Sequence, residues 1–165
     1  MKFCLSILAS LLVATTAFAA PSDIVSGSTN SSLFFSKNSD DKYEASLYLA
    51  TEYDHAFENG LQVGGLLEGA FTDDSNAFTA LVGPGFNLNA QDLANSFYAT
   101  VKVGFSRVSI DGDKNTEFTA RAEAGKRFKL SESVSYVPGV AVTHVFADEA
   151  DPTFQVNIFK FSFLF

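Results

Sequence analysis

The chain has 165 residues, 47% apolar and 18% charged, with 18 phenylalanines, 5 tyrosines and no tryptophan. That length suits one domain. A mean hydropathy of +0.13 excludes a bundle of membrane helices, and the apolar fraction excludes a disordered chain. The formal charge of −8 argues against a nucleic-acid partner, because phosphate binding needs clustered Lys and Arg.

Residues 1–19 read as a secretory signal peptide. Met1-Lys2 is a short basic start, Phe3 to Val13 is an apolar run broken only by Cys4, Ser6 and Ser10, and Ala17-Phe18-Ala19 is a small-x-small cleavage signal followed by Ala20-Pro21. The apolar core is too short to span a bilayer. Export through the Sec pathway follows, with residues 20–165 as the mature domain. Cleavage removes Lys2, leaving 10 basic against 19 acidic residues and a charge of −9. It also removes Cys4, the single cysteine, which excludes disulfides, thiol catalysis and lipid anchoring through cysteine.

The remaining chain alternates with period two. A first strand is predicted in residues 26–37, where Leu33, Phe34 and Phe35 are the strongly apolar positions. In 42–53, Tyr43, Leu47, Leu49 and Tyr53 oppose Glu44, Ser46, Tyr48 and Glu52. In 61–71, Leu61, Val63, Leu67 and Phe71 oppose Gln62, Gly64 and Glu68. In 77–88, Phe78, Val82, Phe86 and Leu88 oppose Thr79, Gly83, Gly85 and Asn87. In 97–108, Phe97, Val101, Val103 and Phe105 oppose Tyr98, Lys102 and Gly104. In 116–128, Phe118, Ala120, Ala122, Ala124 and Phe128 oppose Glu117, Arg121, Glu123 and Arg127. In 134–146, Val134, Tyr136, Val140, Val142 and Phe146 oppose Ser135, Gly139, Ala141 and Thr143. Successive side chains of a strand point to opposite faces, so each segment has an apolar and a polar side. The breaks are short and rich in Asp, Asn, Gly and Ser, which suits antiparallel hairpins. The last segment, 153–165, alternates too, but Phe154, Val156 and Ile158 fall on one parity and Phe159, Phe161, Phe163 and Phe165 on the other; a bulge would reconcile the two halves. The count is eight strands.

Period two does not say which face is inside. Three features put the apolar face outside, against lipid. The polar face is built of small residues such as Gly64, Thr79, Gly83, Gly104, Gly139 and Ala141, which fit a crowded lumen better than a solvated exterior. Phenylalanines sit toward both ends of the apolar face, with Phe71, Phe78, Phe105, Phe118 and Phe146 at one rim and Phe86, Phe97 and Phe128 at the other; aromatic girdles flank the apolar band of membrane barrels. Finally, the chain ends in an alternating Phe159, Phe161, Phe163 and Phe165.

With that signal, strand count and ending, the chain resembles the small outer-membrane barrels, the OmpX-like proteins and the OmpA transmembrane domain. The resemblance implies an all-β fold, a closed antiparallel up-and-down eight-stranded transmembrane β-barrel with short hairpin loops. It implies residence in the outer membrane with the bilayer and lipopolysaccharide as surroundings, and assembly by the barrel-assembly machinery through the C-terminal strand. Two departures stand out. Pro84 and Pro138 fall in mid-strand, where neighbouring glycines suggest bulges, and Lys126 and Arg107 lie on the lipid-facing parity near strand ends, where long cations can snorkel.

The connections expected to face outward carry Asp40, Asp41, Asp73, Asp74, Asp111, Asp113, Asp148, Glu149 and Asp151, with Lys114 as the single base. Such a rim suits divalent cations or cationic partners, although Asp is also simply a good turn residue. On the inward parity stand Glu44, Glu52, Glu68, Glu117 and Glu123 with Lys102, Arg121, Arg127 and Lys160. Charges in a narrow barrel must be paired or wet; Lys102 is expected beside Arg121 or Glu123, and the lumen is expected to be plugged. His55 is expected on a turn with no nucleophile near it, and no serine flanks His144. There is no metal-ligand cluster, phosphate loop or nucleophile elbow. No catalytic, cofactor-binding or metal residue is therefore predicted, and no cofactor. The leading expectation is a non-enzymatic barrel with a structural or surface-interaction role. A narrow porin-like channel, a lipid-A-modifying enzyme and a soluble lipocalin-like lipid binder are the alternatives.

Overall fold

The computed structural model describes residues 22–28, 32–37, 43–72, 75–110, 113–147 and 150–165. The expected signal peptide lies outside them. The described chain is all-β: β1 (Asp23–Ser28), β2 (Ser32–Lys37), β3 (Tyr43–Ala56), β4 (Leu61–Phe71), β5 (Ser75–Asn87), β6 (Phe97–Ile110), β7 (Asp113–Lys126), β8 (Phe128–Lys129), β9 (Val134–Tyr136), β10 (Gly139–Val145), β11 (Thr153–Asn157) and β12 (Lys160–Leu164), with one 3₁₀ turn at Leu93–Asn95. All pairings are antiparallel, in the order β11-β10-β7-β6-β5-β4-β3-β1-β12-β9-β8, with β2 beside β3. β12 has β1 along one edge and β9 along the other.

The expectation of a closed eight-stranded barrel meets, among the described residues, twelve shorter strands in a path whose ends are β11 and β8. The interruptions have local causes. Against β3, Gly27 pairs with Thr51 but Ser32 with Tyr48, so five steps on one strand meet three on the other between β1 and β2. Pro138 cannot donate to a ladder and sits in the gap between β9 and β10. Opposite it, Asn157 pairs with Gly139 and Phe161 with Tyr136, four steps against three. That one-residue bulge leaves Ile158 and Phe159 both exposed in succession, 58% and 62%, which is the register change of the last segment. Pro84 behaves otherwise than expected. Its register is the same on both sides, with Val63↔Pro84 toward β4, and Val82↔Val103 and Gly85↔Thr100 toward β6. There is no bulge at Pro84; two ladder positions toward β6 are skipped instead. The first strand begins at Asp23, earlier than its apolar residues suggest.

The polar parity of the sheet faces inward. Leu67 is 50% exposed and Val101 55%, whereas Lys102 is 2% exposed and Arg121 8%. Every phenylalanine from Phe57 to Phe165 is exposed, the reverse of its usual place in a water-soluble domain. Two aromatic groups mark the ends of this outer face. Phe105, Phe118 and Phe146 touch in sequence at one rim (ring centroids 5.9 and 5.3 Å apart), and Phe128, Tyr136 and Phe161 at the other (6.2 and 5.9 Å).

At the rim where Ser22 and Phe165 lie, the enclosed side is closed by an apolar cluster of Ile24, Ala56, Leu93, Ala94 and Leu164. The 88–96 connection folds inward to supply Leu93 and Ala94; the Ser135 hydroxyl donates to the Ala94 carbonyl at 2.8 Å, and the Arg127 amide to the Ser96 carbonyl at 2.8 Å. The last residue is tied in as well. The Phe165 carbonyl accepts from the Ser22 and Asp23 amides, and its amide donates to the Asp23 carbonyl. Removing residues 161–165 deletes most of β12 and with it both the β1 and β9 ladders. The truncated chain is expected to yield no cooperatively unfolding species, as read by circular dichroism in urea.

Candidate functional site: the charged interior

Because the polar face is concave, side chains from strands that are not neighbours meet across it. Lys102 on β6 donates to Glu52 at 2.5 Å and Asp54 at 2.8 Å, both on β3, although β4 and β5 lie between them in the sheet. Lys160 on β12 donates to Glu52 at 2.6 Å and to Glu123 on β7 at 2.5 Å. Arg121 on β7 donates to Glu123 at 3.2 Å and approaches Glu68 on β4 at 3.6 Å. The nitrogen that approaches Glu68, Nη1, also donates to Gln155 at 3.2 Å and Thr143 at 3.4 Å. Glu52 is thus held between two ammonium groups and Glu123 between an ammonium and a guanidinium. The Tyr98 hydroxyl adds a bond to Glu123 at 2.6 Å.

Below this group, toward the apolar cluster, Arg127 donates to the Asn87 side-chain oxygen and lies 4.5 Å from the Tyr98 ring centroid. Asn87 donates in turn to Gln62 at 2.7 Å. Above it runs a hydroxyl ladder, Thr79 to Ser106 at 2.8 Å and Thr119 to Ser106 at 2.9 Å. The cavity among Glu52, Glu68, Arg121, Glu123, Asn157 and Lys160 measures about 10 Å³, room for one water molecule at most. Charges this deep need partners, since an unpaired buried ion costs several kcal/mol. Four carboxylates, Glu52, Asp54, Glu68 and Glu123, here meet four cations, Lys102, Arg121, Arg127 and Lys160, though Arg127 is bonded to Asn87 and not to a carboxylate.

Sequence reasoning and structure differ on particular residues. The strand predicted over 42–53 runs on to Ala56 and takes in Asp54, 2% exposed; carrying the inward parity of Glu52 two residues further finds it. Lys102 pairs with Arg121 along the backbone, but its ammonium turns away from both Arg121 and Glu123 and crosses the interior. Glu117 is half-buried in β7 with no ion pair among the described residues, and the Glu44 side chain lies outside them. Of the acidic connections, Asp113 and Asp151 are exposed, while Asp40, Asp41, Asp73, Asp74, Asp111, Asp148 and Glu149 lie outside the described residues. Phe159, Phe161, Phe163 and Phe165 all face outward. His55 is in β3, not on a turn, with Nδ1 2.8 Å from Asp23, whose same oxygen accepts from the Tyr53 hydroxyl at 2.7 Å. His144 packs edge-on against Phe146 at 4.5 Å. Among the described residues no three potential metal-ligating side chains cluster, and no helix is long and apolar enough to cross a membrane.

No protein-family model matches the chain, and no curated protein does. Among solved structures, the crystal structure of Neisserial surface protein A (NspA) is similar over 86% of this chain and 89% of that one, at 10% identity and a TM-score of 0.49. So distant a likeness carries no conclusion about this chain.

Proposed function

We propose that the protein is an integral outer-membrane β-barrel with a structural or surface-interaction role, its interior plugged by paired charge. The observation that carries this reading is the sidedness of the sheet: ion pairs between non-adjacent strands inside, and every phenylalanine from Phe57 to Phe165 outside. A water-soluble barrel would bury those rings, because burial is worth about 1.5–3 kcal/mol for each large apolar side chain. Strands of 11 to 14 residues, β3 to β7, meet or exceed the roughly 9–11 residues a tilted strand needs to cross a bilayer core.

Closure of the barrel belongs to the same proposal. Grouping β1 with β2, β7 with β8, β9 with β10 and β11 with β12 gives eight lines of strand. On that grouping the last line, through β12, lies beside the first through β1, and through β11 and β12 beside the seventh. Closure leaves no unpaired edge in the hydrocarbon. The outward Phe159, Phe161, Phe163 and Phe165 then form the strip offered to assembly machinery, lipid and lipopolysaccharide surround the barrel, and the acidic connections offer sites to divalent cations. The role is non-enzymatic, with export through the Sec pathway.

The test has two parts. The protein is expected in the outer-membrane fraction, migrating faster in detergent gels unheated than boiled; recovery in the soluble periplasmic extract would overturn the membrane reading. In planar bilayers it is expected to give no steady conductance, because the paired charges around Glu52 and Glu123 fill the interior at their level to within a cavity of about 10 Å³. A persistent open-channel current would overturn the plug and favour a narrow channel.

A further inference from the structure

The outer face carries one concavity with a cation at its mouth. On β6 and β7 the paired Ala99 and Ala124 form a low floor. Phe86, which pairs with Ala99, walls it on the β5 side. One step toward the rim that bears Ser22 and Phe165, Leu88, Phe97 and Lys126 close the groove, whose volume is about 410 Å³. The Lys126 ammonium lies 4.9 Å from the Phe97 ring centroid and 4.7 Å from that of Phe128, and among the described residues no carboxylate pairs with it. A cation held between two aromatic rings at the edge of an apolar groove complements one kind of occupant, an apolar chain ending in an anion.

We propose that this groove seats one phosphate-bearing glycerophospholipid of the leaflet at the rim of Ser22 and Phe165, an acyl chain lying over Ala99 and Ala124 and the phosphate beside Lys126. The proposal rests on the membrane reading above. Small residues let a chain approach the sheet closely, the flanking Phe86 and Phe97 supply apolar contact on its sides, and a lysine at the headgroup level adds an attraction worth about fivefold in binding to an anionic lipid. The rings set the ammonium's position before lipid arrives, through cation–π attraction.

Native mass spectrometry decides it. The full protein is reconstituted into vesicles of equal phosphatidylglycerol and phosphatidylcholine, extracted gently and weighed. Wild type is expected to retain one lipid, enriched in phosphatidylglycerol. Lys126→Gln should lower that enrichment about fivefold, and Ala124→Phe, which fills the floor from an exposed position, should remove retention of both lipids while gel migration stays that of wild type. Retention by Ala124→Phe equal to wild type, enrichment unchanged in Lys126→Gln, or no lipid on inserted wild type would each overturn the groove and leave the membrane reading standing. Failure of wild type to insert into the vesicles at all would overturn both.

Discussion

Replacing Lys102 with Met is expected to destabilise the protein by about 3–5 kcal/mol, the cost of breaking a buried ion pair and stranding its partner. The partner is Asp54, 2% exposed, whose single ion pair among the described residues is to Lys102. Glu52 suffers less, because Lys160 still holds it at 2.6 Å. The loss should therefore be largely reversed by a second change, Asp54→Asn, which removes the stranded charge without altering shape. Urea unfolding in lipid vesicles measures the double-mutant cycle, and a coupling of at least about 2 kcal/mol between the two positions is expected. Additive effects would show that water reaches Asp54 and that the interior is not sealed at that level. Lys160→Met gives a useful contrast. It leaves Glu52 with Lys102 and Glu123 with Arg121, so its cost should be smaller than that of Lys102→Met, although Lys160 makes the same number of ion pairs.

How much of this was legible in the sequence differs by level. The strands and their sidedness follow from period-two alternation and from Gly and Thr on the polar parity, because a strand's side chains alternate whatever the sheet does next. Glu52, Lys102 and Glu123 are readable as inward-facing for the same reason. Their partners are not, since Lys102 meets Glu52 across β4 and β5, and Lys160 on β12 meets Glu123 on β7 past β9 and β10; such pairs depend on how the sheet curls, which no local pattern encodes. Ile24 and Leu164 sit on the polar parity and look like exceptions in the sequence, yet they meet Leu93 and Ala94 from an intervening connection and close one end. Both prolines broke the expected pattern in different ways. At Pro84 the ladder tolerates a missing donor with no slip in register, and at Pro138 the bulge falls on the opposite strand, at the consecutive apolar pair Ile158-Phe159. The adjacent apolar residues were the visible sign, but only the pairing shows what they face.

The inward glycines carry the other large expected effect. A Cβ built on Gly83 would lie 2.0 Å from the Val101 carbonyl oxygen and 2.8 Å from the Lys102 Cα; on Gly104, 2.0 Å from the Ala80 carbonyl oxygen; on Gly64, 2.1 Å from the Tyr53 carbonyl oxygen. These are main-chain atoms of the adjacent strand, so no side-chain rotation relieves the overlap. Gly64 and Gly83 are directly paired, on the two strands that lie between β6, which carries Lys102, and β3, which carries Glu52 and Asp54. Gly83→Ala is expected to cost at least the upper end of the roughly 1–3 kcal/mol seen for overpacking, and Gly83→Val to leave little folded, heat-modifiable protein. Gly27 is the control. It is exposed on the opposite face of β1, and a Cβ there would meet nothing within 4 Å, so Gly27→Ala should change stability by no more than about 0.5 kcal/mol. Helix or strand propensity alone would rank the two substitutions equal, since both replace a strand glycine with alanine. A small effect at Gly83 matching that at Gly27 would mean the strands can part without loss, and the tight inward curl that brings Lys102 to Glu52 would not be the stable form of the sheet.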